Sequence, residues 1–420
     1  VIDLVAYILV AFAAGTAGLI TLALLLRSPE IAFALFIFSY VIEGGDLIPG
    51  GLDLTPVFLF ISLVGFFLPT LKGKPVRFTP KSSDLWLFLF LLILFGGSYL
   101  APDIQGAIQK AFLFTVAVFL PYMITRLFFK TYKQIWIFLT VICGLATGIA
   151  AILTVISFSH KYAGGRLQFF EANPIPTGTL LALGLVIAVI GLTSELFGKT
   201  RKVKLLCIVA ILVCLYGIFL SGVRGPLISA IVGLALYFLV LFMQRPRVLA
   251  SIAGMVVLVL VTFNVWYRYV ISSVPNIGGY SLQAITEGLS TQERVERYRA
   301  AIELFVQNPL LGTGTDGFAQ HTGLGYPHNI FLEIASETGV VGLLIFTCFL
   351  ASIALHGLRY FAMSATRYDP RAMPIGLAVL VVSLTLLMSK QFSYNLTMHK
   401  DLFAFLGLMA NLPLLTRFNS

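Results

Sequence analysis

Stretches of about twenty apolar residues, long enough to cross a bilayer as a helix, follow one another along nearly the whole chain. They fall at 4–26, 31–47, 54–71, 85–101, 111–127, 134–157, 174–196, 203–220, 226–243, 248–271, 329–356, 373–389 and 402–416. That gives thirteen spans, or twelve if one of the short runs, 31–47 or 402–416, is a partial helix. Backbone polar groups in lipid have to be bonded within the protein, so helices are the expected form. The ten-residue alternation of a membrane barrel is absent. Charged residues make up 11% of the chain and hydrophobic ones 59%, against about 25% and 45–50% in soluble domains. The expected fold class is therefore an all-α polytopic membrane protein. The first run is longer than a signal-peptide core and lacks a clear cleavage site, so it reads as a retained span.

The net charge of +10 invites a nucleic-acid reading, but the placement of the cations argues for topology instead. Loops on one side hold 18 of the 28 Lys and Arg residues, among them Lys72, Lys74, Arg77, Lys199, Arg201 and Lys202, and loops on the other side hold 10. The richer side is expected to be cytoplasmic, and no nucleic-acid partner is expected. This orientation divides the chain into spans with short loops over 1–271, a large outer segment over 272–327, and C-terminal spans over 328–420. The four cysteines all lie in apolar runs and show neither disulfide nor metal spacing.

The outer segment holds one amphipathic helix, 291–306, with Val295, Tyr298, Ile302 and Phe305 on its apolar side. Asn308-Pro309 stops it, and LLGTGTDGF follows as a glycine-rich turn. Four of the arginines on this outer side are candidates for a site near the bilayer. Arg224 lies in SGVRGPLIS, where flanking glycines allow close approach of a ligand and Pro226 suits the first turn of the next helix. Arg166 has a similar setting in YAGGRLQFFEANP. Arg294 and Arg297 share one side of the amphipathic helix, and Glu293, four residues before Arg297, suits a plain surface pair with it. Arg294 is thus the better ligand binder of the two. Guanidinium groups at headgroup depth fit an anionic substrate such as a lipid diphosphate; the plainer reading of Arg224 is snorkelling to headgroups.

Of the five histidines, His160, His321, His328 and His399 fall outside and His356 inside. No HExxH, CxxC or outward DxD is present, which disfavours a divalent-metal mechanism. If a helix starts near Pro327, Ala335, Gly339 and Gly342 lie on the face of His328. That small-residue stripe would let another helix pack closely. Glu333 and Glu337 then point elsewhere, so no His–Glu relay is expected. At a helix N-terminus the imidazole is held neutral, as a general base requires; the plainer reading is a capping or interfacial His.

HNIFLEIASETGVVG, with His328-Asn329, Gly339 and Gly342, resembles the signature of the O-antigen ligase and polymerase superfamily. Three further elements are similar to that family in the same order. GRLQFFEANP carries Arg166, Asn173 and Pro174. SGVRGPL carries Arg224, with Val223 where Ser more often stands. RVERYRAAIELFVQNPLLGTGTDGF carries Arg294, Tyr298, Pro309, Gly312 and Gly314. The resemblance implies a metal-independent, inverting GT-C glycosyltransferase of the bacterial inner membrane, without a cofactor. Its donor would be a glycan on undecaprenyl diphosphate, and its acceptor lipid A-core or another lipid-linked glycan. It further implies that His328 is the catalytic base and that Arg224 and Arg294 hold the diphosphate. Arg166, Arg297, Asn329, His321 and Lys161 are the remaining substrate-site candidates. The ungapped spacing of the His328 motif favours a ligase over a polymerase. A transporter would predict inverted repeats and helices broken at the midplane, and the sequence shows no such repeat.

Overall fold

A computed structural model of the protein describes residues 21–42, 53–71, 73, 76, 78–159, 174–194, 196–244, 289–366, 372–392 and 395–418. The span expected at 248–271, most of that at 4–26, the end of that at 31–47, and the candidates Lys161 and Arg166 lie outside these residues. The described residues form helices and no strand, and eight of the helices are long and apolar enough to cross a membrane.

In chain order the helices are α1 (Pro29–Ile37), α2 (Thr55–Leu71), α3 (Ser82–Gly97), α4 (Ile104–Phe128), α5 (Tyr132–Ser159), α6 (Pro174–Ser194), α7 (Arg201–Ser221) and α8 (Arg224–Gln244). They continue with α9 (Leu289–Gln307), α10 (Gly317–Thr322), α11 (Ile330–Thr366), α12 (Ala372–Ser389) and α13 (Lys400–Phe418). Local chemistry sets several ends. The Asp103 carboxylate accepts the Gln105 N–H and caps α4. The Thr200 hydroxyl caps α7, which stops at Gly222 in the left-handed conformation (φ 64°). Within α4 a π-turn over Thr115–Phe119 makes room for Pro121, which cannot donate to the helix ladder.

Helix α6 lies at the centre, packed by α5, α7, α8 and α12. A second group joins α13 to α4, α11 and α12, and α3 lies along α11. Aromatic rings fill the seams: Phe349 of α11 stacks on Phe403 of α13 at 5.8 Å and 9°.

Three cations assigned from sequence to loops prove to be interior: Lys110 (8% exposed), Arg126 (0%) and Lys390 (1%). Each faces a carboxylate. Arg126 makes a two-pronged contact to Asp84 at 2.7 and 2.8 Å, which also accepts from Tyr122, and it bonds Asn411 as well. Lys390 meets Asp401 at 2.9 Å. Buried charges are tolerated when paired in this way.

Helix α9 matches its expected position but not its expected packing. Its buried residues are Ala301 and Leu304, set against Phe318, whereas Val295 and Ile302 are exposed. Apolar periodicity in a membrane protein marks any face that avoids water, whether it meets protein or lipid; the other two residues of that side, Tyr298 and Phe305, are half-buried, and the Tyr298 hydroxyl donates to Gln391 O at 3.3 Å.

Candidate functional site

The segment before α11 departs from the helical start expected at Pro327. Helix α11 begins at Ile330, and Asn329 is its cap: its side-chain oxygen accepts the N–H groups of Phe331 (3.0 Å) and Leu332 (3.1 Å). His328 precedes the cap with φ +60°. Left-handed backbone is uncommon for a residue with a Cβ and costs about 1–3 kcal/mol. His328 therefore stands outside the helix, and the stripe drawn from it through Ala335, Gly339 and Gly342 does not exist.

Gly339 breaks that stripe again. Its backbone (φ 63°, ψ −162°) interrupts α11 about a quarter of the way along. What approaches it is a loop and not a helix. Val340 N–H donates to Pro309 O at 2.8 Å and Val341 N–H to Leu310 O at 3.3 Å. Thr313 N–H donates to Ser336 O at 2.9 Å and Gly314 N–H to Glu337 O at 3.0 Å. A Cβ on Gly339 would lie 2.3 Å from Leu310 O, and one on Gly312 (φ +70°) 2.3 Å from the carbonyl carbon of Glu337. The two glycine motifs, far apart in sequence, are thus halves of one backbone clasp. It holds residues 330–338 as a separate short helix with His328 at its mouth.

Four of the predicted site residues meet there. Arg224 from α8, Arg294 and Arg297 from α9, and His328 line one cavity of about 170 Å³, together with Glu293 and Phe392. Three cationic side chains and one imidazole around so small a space suit a compact anion. A larger cavity of about 1020 Å³ lies at the opposite, Lys/Arg-rich end, walled chiefly by apolar groups such as Phe66, Phe128 and Leu414, and contains none of these residues.

The arginines are not equivalent. Arg297 Nη1 donates to the carbonyls of Leu324 and Tyr326 (3.2 Å for the latter), so it braces the loop that delivers His328. That replaces the surface pair with Glu293 expected from their spacing. The Tyr326 ring meets the His328 ring edge-on, 4.5 Å between centroids. His328 Nδ1 is buried and has no hydrogen-bond partner among the described residues. Burial, then the charges of Arg297 and Arg294, push the His328 pKa down to about 4. The imidazole is neutral at pH 7 and can accept a proton. The cause is desolvation and neighbouring guanidinium groups, and not the helix dipole alone.

Two sequence candidates stand elsewhere. His321, on α10, is exposed with Nδ1 on Gly317 O at 2.8 Å, and does not line the cavity. Asn329 serves the helix start through its side chain. Among the described residues no group of three or more His, Cys, Asp or Glu is placed to hold a metal ion.

One constellation escaped sequence reasoning. Lys110 of α4 lies 2.7 Å from Glu333 Oε1, 2.7 and 2.9 Å from the two oxygens of Glu337, and 3.6 Å from Asp316. Glu333 and Glu337 are 0% and 1% exposed. Two glutamates four apart inside an apolar run were the available signal, because ionisable residues in a span demand a partner.

Residues 208–347, from α7 into α11, match the family model described as O-antigen ligase (Wzy_C). No curated protein matches the chain at a significant level.

Proposed function

We propose, from the match of residues 208–347 to the O-antigen ligase model, that the protein is a multi-pass membrane transferase of lipid-linked glycans. The protein moves a glycan from undecaprenyl diphosphate to a hydroxyl of lipid A-core on the periplasmic side of the bacterial inner membrane. The observation that carries this reading is the small cavity in which Arg224, Arg294 and His328 converge.

The chemistry follows from those groups. Arg224 and Arg294 hold the diphosphate and offset the charge that grows on it as the glycosidic C–O bond breaks. His328 removes the proton of the acceptor hydroxyl, and that oxygen attacks the anomeric carbon from the side opposite the diphosphate, inverting it. A diphosphate so neutralised leaves without a general acid, and no metal is required. Arg294, one of the two arginines that depress the His328 pKa, is also one that the donor neutralises. Donor binding therefore raises the basicity of His328 when a base is needed.

A strain lacking the protein tests the acceptor. Its lipopolysaccharide should lack O-antigen entirely while polymer accumulates on the carrier. Core bearing a single repeat unit would instead mark a polymerase, which uses the same donor and a lipid-linked glycan as acceptor.

A further inference from the structure

The Lys110 cluster lies beside the cavity without lining it. Its connections run to both sides of the site. Glu333 sits in the first turn of the short helix, its N–H bonded to Asn329 O at 3.0 Å, immediately after His328. Its second oxygen accepts Leu396 N–H at 2.9 Å. Four residues before Leu396, Phe392 forms part of the cavity wall and abuts Gly225, the neighbour of Arg224, where an added Cβ would lie 3.2 Å away. Glu337, one turn on, gives its carbonyl to the Gly314 N–H of the clasp. Asp316 closes the same loop and faces Lys110 at 3.6 Å.

One ammonium thus ties α4 to the helix that presents His328, to the loop that clasps it, and to the wall behind Arg224. We propose that Lys110 is a positioning residue for the transfer reaction, holding the short helix 330–338 so that His328 keeps its place opposite the diphosphate. This rests on the reading of His328 as the base. Glu333 and Glu337 cannot relax into water around the single lysine, because all three residues are buried. Without the ammonium they repel one another or take up protons, and the short helix loses its seat. The arginines stand on α8 and α9, which Lys110 does not touch, so donor capture should be spared.

The test compares Lys110→Met, Lys110→Arg and His328→Ala as purified, monodisperse protein with an undecaprenyl-diphosphate glycan and its acceptor. Misplacing a reacting group by about 1 Å costs up to about a hundredfold in rate. Lys110→Met should lose about 10- to 100-fold in kcat with donor KM changed less than about threefold, and Lys110→Arg should recover most of that loss. A folded Lys110→Met with full kcat, or one whose loss lies in KM, overturns the proposal. If Lys110→Met does not fold, Glu333→Gln serves: it can still accept the Leu396 N–H, so it should fold with lowered kcat, and unchanged kcat overturns the proposal. Normal transfer by His328→Ala would overturn the base assignment and this inference with it. Loss in His328→Ala with full kcat in Lys110→Met overturns this inference alone.

Discussion

Gly339→Ala and Gly148→Ala make the same chemical change inside two long apolar helices, and the structure assigns them very different consequences. At Gly339 the backbone (φ 63°, ψ −162°) lies in a region essentially confined to glycine, and a Cβ would meet Leu310 O at 2.3 Å and Leu311 N at 2.6 Å. Neither atom belongs to a flexible side chain, so the clasp has to open and the bonds from Val340 and Val341 go with it. Backbone strain of about 1–3 kcal/mol and two hydrogen bonds of about 0.5–1.5 kcal/mol each give a cost of about 2–6 kcal/mol. Against a total stability of about 5–15 kcal/mol, that is a severe loss. At Gly148, inside α5, an added Cβ would meet nothing within 4 Å. No contact is lost there, and the better helix propensity of alanine contributes about 1 kcal/mol. Gel filtration of detergent-solubilised protein after a temperature ramp separates the cases. Gly339→Ala should lose its monodisperse peak at far lower temperature than wild type, and Gly148→Ala should stay within a few degrees. Equal behaviour of the two would refute the clasp.

Other perturbations follow from the same geometry. A group with a pKa of about 4 in the free enzyme stays neutral down to about pH 5, so kcat/KM should be level there and fall as pH drops through about 4. The acid limb of kcat should lie at higher pH, because a bound diphosphate offsets Arg294; a kcat/KM limb at pH 6.5 would contradict this. Arg126→Met should destabilise the protein by about 3–5 kcal/mol by stranding the Asp84 carboxylate, with donor KM unchanged among molecules that fold. Arg297→Lys should lower kcat more than it raises donor KM, since the flexible lysine stem does not fix an ammonium where the planar guanidinium sets Nη1 against both the Leu324 and Tyr326 carbonyls; a loss confined to KM would make Arg297 a donor ligand instead.

The spans were legible because lipid imposes one solution on the backbone and twenty apolar residues announce it. Arg224, Arg294 and His328 were legible as residues because polar groups at a bilayer boundary stand out, but their convergence depends on α8, α9 and the loop before α11 meeting in space. The helical phase argument failed at His328 and Gly339 for a shared reason: both adopt positive φ, and phase cannot be carried through a residue that is not helical. Gly339 looked like a packing residue because glycine serves close approach and backbone reversal alike, and only the partner, here the backbone of Leu310, tells them apart. Lys110 was misread because it lies near the end of a run and was counted as a loop charge, although the paired Glu333 and Glu337 required a buried cation somewhere. Asn329, read as a substrate contact, sits where an Asn cap explains it fully.

The central claim is that His328 acts as base beside a diphosphate held by arginines, without a metal. Purified protein, donor and acceptor in excess chelator test it most directly, comparing wild type with His328→Ala for turnover and for donor retention. The account predicts that wild type forms the inverted linkage at full rate. It predicts that His328→Ala loses about 10²- to 10⁴-fold in turnover while still holding the donor. Near-normal turnover by folded His328→Ala, or loss of wild-type turnover to the chelator that divalent metal restores, would contradict it.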